Sequence, residues 1–244
     1  MQMDGVRLEL PTLKISQLDE MISIITPTMW KYENFLHNIV ETLNEPAVDE
    51  FIIINNNVSE TPESEILSHP KIRLYNFFEN TFVNPAWNFG VSVAKNNILA
   101  FLSDDVEFDS KIFPKTLEFI QSTRNIGLIG VLTRYHHEHA KIYENHLTDG
   151  SIDFSSTFIS TTFGALFFMT KESWKPLPDD LKIMHGECLQ YNRCHHLRKN
   201  NYLAINCRSV SPWHVTLDTI PREIVLNDHK VYQYINENTN WTHI

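Results

Sequence analysis

The feature that most constrains the fold is a series of short, almost wholly apolar segments that each end in polar residues. Three of them lie at 22–26 (ISIIT), 50–54 (EFIII) and 98–102 (ILAFL). Segments this short and this rich in β-branched and aromatic residues predict strands, and their lack of polar alternation predicts burial on both faces. Such strands are typical of a parallel sheet that helices cover on both sides.

Segments with helical periodicity separate these strands. Apolar residues follow the three- and four-residue spacing of one helix face over 35–43, and a second helix is expected over about 85–94. A further strand is expected near 71–75. This alternation predicts an α/β fold with a mostly parallel sheet. The second half is predicted to hold strands near 126–132 and 163–169 and helices near 112–120 and 187–199.

Polar side chains follow three of the predicted strands directly. Thr26 ends the first strand, asparagines occupy positions 55 to 57 after the second, and Asp104 and Asp105 follow the strand at 98–102. Ligands of open α/β sheets bind beyond the carboxyl ends of the strands, so we expect these side chains to line one site. Two adjacent carboxylates there favour a neutralising divalent cation that also binds phosphate oxygens. The alternative is that one of the aspartates simply caps the following turn.

Composition and charge narrow the classes of function. The 244 residues, 42% of them hydrophobic, suffice for one core, and the net charge of −10 argues against broad adhesion to nucleic acid or anionic lipid. No apolar run reaches the roughly 18 residues of a membrane span, and the N-terminus lacks a leader pattern. Three cysteines late in the chain fit a reducing compartment better than a disulfide framework. We therefore expect a single-domain cytoplasmic protein without a membrane span.

Four motifs then occur in an informative order. NPAWNFG at 84–90 opens a predicted helix, FLSDDV at 101–106 contains the two aspartates, HGE at 185–187 precedes another helix, and SPWH at 211–214 comes late. In this order the chain resembles the family-two glycosyltransferases of the GT-A fold, a Rossmann-like architecture. The acidic pair matches the position of that family's DXD motif.

The resemblance implies a role for each candidate site residue. Asp105 and His214 would bind the divalent metal, Mn²⁺ or Mg²⁺, and Asp104 would face the ribose or sugar of the donor. Glu187 would be the general base that deprotonates the acceptor hydroxyl. Without the family order, Glu187 would be an ordinary first-turn acid and His214 a structural histidine. The other donor-binding candidates are Thr26, Pro27, Asn55, Asn57 and Asn88.

The resemblance also implies an organisation of the chain. Residues 1–20 would be an N-terminal extension, 21–220 the GT-A glycosyltransferase domain and 221–244 a C-terminal tail. Within the domain, 21–110 would be the half that binds the nucleotide-sugar, and 111–220 the acceptor half. The tail would pack on the core, close over the donor or mediate dimerisation, and the sequence does not choose among these.

The implied function is metal-dependent transfer of a sugar from a nucleotide-diphosphate donor to the hydroxyl of a glycan acceptor, with inversion. One alternative is transfer to a hydroxylated base in DNA, as some viral sugar transferases do, and the basic helix face at 193–199 keeps it open. If the chain is viral, the expected location is the host cytoplasm. Another is a nucleotidyltransferase, although residues 26–31 lack the glycines of its phosphate loop. A third is a catalytically silent nucleotide-sugar or glycan-binding module, which Ser103 and Cys188 favour because the family commonly has acids at both positions. The sugar, the nucleobase and the oligomeric state stay open.

Overall fold

The structure of the protein is a computed structural model that describes residues 20–135, 152–156, 163–211 and 220–239. Its first half alternates strands and helices as the apolar segments predict. The elements are β1 (Ile22–Thr28), α1 (Phe35–Leu43), β2 (Val48–Asn55), β3 (Ile72–Asn76), α2 (Val83–Val93) and β4 (Ile98–Leu102), with 3₁₀ turns at Val58–Glu60 and Glu65–Ser68.

The second half contains seven strands and three more helices among the described residues. The elements are β5 (Glu107–Phe108), α3 (Ile112–Ser122), β6 (Ile126–Val131), β7 (Arg134–Tyr135), β8 (Asp153–Ser155), β9 (Leu166–Thr170), α4 (Gly186–His196), β10 (Asn200–Ile205), β11 (Ser209–Ser211) and α5 (Arg222–Asn238).

Eight strands form one sheet in the order β3-β2-β1-β4-β9-β6-β10-β8, and β5, β11 and β7 form a small second sheet. The neighbours β3, β2, β1 and β4 are parallel, and so are β6 and β10. Strand β9 runs antiparallel to both β4 and β6, and β8 runs antiparallel to β10. The expected mostly parallel α/β sheet is confirmed. Among the described helices, none has the length and apolar character that a membrane crossing requires.

The core lies on both faces of the sheet. Ile24 and Ile53 belong to one apolar cluster and Ile25 and Ile52 to the other, and all four side chains are fully buried. Successive residues of a strand point to opposite faces, so most positions of a strand covered on both sides are apolar. Burial on both faces of the sheet therefore explains the nearly continuous apolar runs of the sequence.

An aromatic group supports the carboxyl end of β4. The Phe101 ring stacks on Phe167 at a centroid distance of 4.6 Å and on Trp174 at 4.5 Å. Trp87 of α2 contacts Phe101 and Phe167 edge to face, at 5.7 and 5.2 Å. We call these four residues the aromatic stack. It fixes β4 firmly just before the acidic residues that follow it.

Two elements differ from the sequence-based expectation. The strand expected from residue 163 begins at Leu166, and α4 ends at His196 rather than near 199. Arg198 adopts a left-handed backbone with φ of 57°, which turns the chain from α4 into β10. The region 221–244 contains α5, which packs on the rest of the chain through a buried Asp228. The domain limits themselves stay a prediction.

Candidate active site

A cleft of about 280 Å³ lies at the carboxyl ends of β1 and β4. One side carries Thr28, Asp104 and Asp105, so the ends of β1 and β4 meet at the cleft. The cleft is also lined by Ile183, from the segment before α4, and by Pro221, just before α5. Further lining residues include Pro27, Lys31, Asn56, Phe82 and Trp87.

The acidic turn is Asp104 and Asp105. Asp105 is only 7% exposed, and Asp104 is partly buried. The Thr28 hydroxyl donates to Asp104 Oδ2 at 2.6 Å and accepts from the Trp30 amide at 2.9 Å. Burial raises the pKa of Asp104 to about 7; the Thr28 hydrogen bond opposes the rise, and the charge of Asp105 adds to it. The site therefore resists carrying two negative charges, and a cation there would relieve the repulsion.

The acidic turn fits a divalent cation whose other ligands are not protein groups. Among the residues that the structure describes, no cluster of three or more His, Cys, Asp and Glu side chains could hold a metal. Hard cations such as Mg²⁺ are commonly held by one or two carboxylates together with phosphate oxygens and water. Asp105 and Asp104 supply such a set. His214 lies outside the described residues, so its place as a metal ligand stays a prediction.

Asn55 is fully buried, and its side chain is hydrogen-bonded within the protein. Its Oδ1 accepts from Trp30 Nε1 at 2.8 Å and from the Asn57 amide at 3.0 Å. Its Nδ2 donates to Thr61 Oγ1 at 2.6 Å and to Asn76 Oδ1 at 2.8 Å. An amide side chain has two donors and two acceptor lone pairs, and all are used here. Asn55 thus organises the loops beside the cleft, and its contact with a nucleobase stays a prediction.

Asn56 lines the cleft, although it is not among the donor-binding candidates that the family resemblance implies. Its neighbours Asn55 and Asn57 are not among the lining residues. Asn56 Oδ1 accepts from the amide and the hydroxyl of Thr81, at 3.0 and 2.8 Å. Asn55 ends β2 and Asn56 lies in the bend that follows, so strand alternation in the sequence could not tell which of the three asparagines faces the cleft. Thr26 is fully buried within β1, so Pro27 reaches the cleft and Thr26 does not.

Asn88 of α2 ties two parts of the chain together. Its Nδ2 donates to Leu177 O at 2.8 Å, and its Oδ1 accepts from the Leu177 amide at 2.8 Å. This double hydrogen bond fixes the segment after β9 to α2. Asn88 is not among the cleft-lining residues, and a direct contact with the donor stays a prediction.

Glu187 lies in the first turn of α4. A Cβ added at Gly164 would lie 3.0 Å from Glu187 Cδ, so the carboxyl packs directly against that glycine. The next residue, Ala165, accepts a hydrogen bond from the Ser103 amide at 2.8 Å, and Ser103 precedes Asp104. Burial raises the pKa of Glu187, which suits a group that must accept a proton.

The basic face expected on α4 is smaller than the sequence suggests. Arg193 Nη1 donates to the carbonyls of Lys175 and Pro176 at 2.9 and 3.1 Å. Lys199 Nζ donates to Ser173 Oγ at 2.6 Å. Two of the basic side chains expected to bind a polyanion are therefore hydrogen-bonded to the segment after β9.

Comparison with known proteins assigns the family. The family model for glycosyl transferase family 2 matches residues 23–193, which is most of the chain. The chain belongs to glycosyl transferase family 2. The family and the enzyme class expected from the sequence are confirmed by this match. The matched span ends within α4, so β10, β11 and α5 lie beyond it. A comparison with curated protein sequences found no match.

Solved structures share the fold of this family-two chain. The crystal structure of GalNAc-T7 with UDP, GalNAc and Mn²⁺ aligns with a TM-score of 0.62 and 12% identity, over 89% of this chain and 48% of that one. The structure of TarS residues 1–349 from S. aureus aligns with a TM-score of 0.59 and 12% identity, over 91% of this chain and 68% of that one. This chain therefore spans about half the length of the GalNAc-T7 structure. The likeness confirms the GT-A fold.

Proposed function

We propose that this family-two chain transfers a sugar from a nucleoside diphosphate donor to a hydroxyl group of a glycan, with inversion and with Mn²⁺ or Mg²⁺. The observation that carries the proposal is the acidic turn, which lines the cleft at the end of β4. The GalNAc-T7 structure, which has the same fold, contains UDP and Mn²⁺, and this supports the same donor chemistry here.

In this proposal the acidic turn binds the donor. Asp105 would hold the cation together with the donor phosphates, and Asp104, held by Thr28, would accept a hydrogen bond from a hydroxyl of the ribose or sugar. When bound, the cation acts as a Lewis acid that stabilises the charge of the leaving diphosphate. Lys31 also lines the cleft and adds a positive charge on the donor side.

Glu187 would activate the acceptor. Its carboxylate takes the proton of the acceptor hydroxyl while that oxygen forms a bond to the anomeric carbon of the sugar. The bond from that carbon to the diphosphate oxygen breaks on the opposite face, so the configuration inverts. Positioned carboxylates contribute about 10² to 10⁴-fold to such proton transfers.

The test is a thermal-shift panel of nucleoside diphosphates and their sugars, with and without Mn²⁺. A ligand that binds only the folded state raises the apparent melting temperature. We expect a Mn²⁺-dependent rise that Asp105→Ala abolishes and that Glu118→Ala, which removes an exposed acid on α3, leaves in place. A wild-type protein that no nucleotide stabilises would contradict the proposal. Donor binding without hydrolysis or transfer to any glycan would instead identify a silent nucleotide-sugar-binding module.

A further inference from the structure

A buried carboxylate of α5 holds the chain segment that leads into α4. Asp228 is fully buried. Its Oδ1 accepts from the Lys182 amide at 2.8 Å, and its Oδ2 accepts from the amides of Ile183 and Met184 at 2.7 and 2.8 Å. Hydrogen bonds to an ionised acceptor are roughly twice as strong as those between neutral groups. We call residues 182–185 the strap.

The last residue of the strap has a strained backbone that α5 also supports. His185 has a left-handed φ of 65°, which is uncommon for a residue with a side chain. Its Nε2 lies 2.6 Å from Nδ1 of His229, and its ring stacks on Tyr232 with centroids 4.4 Å apart. Strained residues persist where their surroundings over-determine them, and here the surroundings belong to α5.

The other side of the strap is bound to α2. The Asn84 amide donates to Lys182 O at 2.9 Å, and Asn84 Nδ2 donates to Met184 O at 3.2 Å. A Cβ added at Gly186, the first residue of α4, would lie 2.1 Å from Asn84 Oδ1. The strap and the start of α4 therefore sit directly on α2, with α5 holding them there.

The strap reaches both halves of the proposed active site. Ile183 lines the donor cleft, as does Pro221 just before α5. Two residues after the strap comes Glu187, the candidate base. Asp228 itself is not among the residues that line the cleft. Its three hydrogen bonds therefore act on the site through the backbone that they hold.

We infer that Asp228 is a positioning residue of this transferase: by binding the amides of the strap, it places Ile183 against the donor and Glu187 against the acceptor. The inference rests on the proposed function and deepens it. It makes α5, which lies beyond the span shared with the family model, a working part of the active site.

The three hydrogen bonds allow a graded test. Asp228→Ala removes all of them. Asp228→Asn can keep the two bonds at Oδ2, while its NH₂ group then faces the Lys182 amide, a donor against a donor. Misplacement of a reacting group by about 1 Å can cost about 100-fold in rate. We expect kcat to fall about 100-fold in Asp228→Ala and about tenfold in Asp228→Asn, with a smaller change in the KM for the donor.

The measurements are steady-state kinetics, titration with UDP and Mn²⁺, and hydrogen exchange of the amides of residues 182–184, at a temperature where circular dichroism shows each variant folded. Asn236→Ala is the matched control, since it removes a 3.0 Å hydrogen bond from Asn192 to the same helix without touching the strap. We expect it to lower the melting temperature but to keep kcat and amide exchange within about twofold of wild type.

The outcomes separate the two proposals. Faster exchange of the strap amides together with the graded loss of kcat supports the inference. If Asp228→Asn is folded, exchanges its strap amides faster and yet turns over like wild type, Asp228 has a structural role only and the inference is wrong. Should Asp228→Ala fail to fold, Asp228→Asn alone decides. A wild-type protein that neither binds nucleotide nor transfers sugar would overturn the proposed function, and this inference with it.

Discussion

Asp104 is the residue in the cleft whose protonation the fold changes most clearly. Burial raises the pKa of its carboxyl from 3.8 to about 7, and the hydrogen bond from Thr28 offsets this only in part. Between about pH 4 and pH 7 the folded protein therefore holds a proton that the unfolded chain has released. The contribution of this group to stability is present at the acid end of that window and is lost as the pH rises through it.

We predict that Asp104→Asn removes this pH dependence. In the presence of EDTA, the free energy of unfolding of the wild type should decrease between pH 5 and pH 7.5 relative to that of the variant, since an amide does not titrate. Urea denaturation at the two pH values measures the difference. Parallel pH profiles of the two proteins would show that Asp104 is not perturbed by the fold.

Glu187 gives the second prediction at this scale. Glu187→Gln should lower kcat by about 10² to 10⁴-fold, because glutamine cannot accept the acceptor's proton. Binding of UDP with Mn²⁺ should persist, because Glu187 is not a cleft-lining residue. Since burial raises the pKa of Glu187, wild-type turnover should decrease as the pH falls through that raised value. Glu172→Gln, at an exposed site after β9, is the control and should change neither.

Helix α2 and strand β1 pack so closely that only a glycine fits between them. A Cβ at Gly90 would lie 2.3 Å from Cγ2 of Ile25, which is fully buried and has a stiff β-branched side chain. Alanine favours a helix by up to about 1 kcal/mol over glycine, but overpacking a core costs about 1 to 3 kcal/mol. We predict that Gly90→Ala is destabilising on balance. Urea unfolding should give a lower free energy of unfolding for Gly90→Ala than for the wild type. The control is Ser92→Ala, on the exposed side of α2, which should be nearly neutral. An equally stable Gly90→Ala would mean that α2 can move away from β1.

Some elements could be predicted from the sequence and others could not. An element is predictable when the residues that determine it are close together in the sequence. Strands β1, β2 and β4 are predictable because burial on both faces makes them continuous apolar runs. The opposite direction of β9 is not, because it depends on pairing across the sheet, such as Leu99 with Met169. The acidic turn could be placed from the end of β4. The role of Asp228 could not be predicted, because its three hydrogen-bond partners lie some forty-five residues away. In addition, nothing in the local sequence of a polar helix indicates that its aspartate is buried.

The charge of the whole molecule bears on the choice of acceptor. The net charge is −10, and Arg193 and Lys199 are already bound to groups of the segment after β9. Non-specific binding to DNA comes from cations that neutralise phosphates, with dissociation constants of about 10⁻⁴ to 10⁻⁶ M. We predict no change in fluorescence anisotropy of a labelled DNA duplex at up to about 10 μM protein in 0.15 M salt. Micromolar binding that weakens steeply with salt would instead favour a base in DNA as the acceptor.

The aromatic stack has a consequence for how the molecule can be observed. Trp87 belongs both to that stack and to the wall of the cleft, and it is only 3% exposed. The emission of an excited indole responds to the polarity and the rigidity of its surroundings. A ligand that enters the cleft therefore arrives beside a chromophore already present in the polypeptide. The protein carries its own optical probe, placed where the chemistry is proposed to occur.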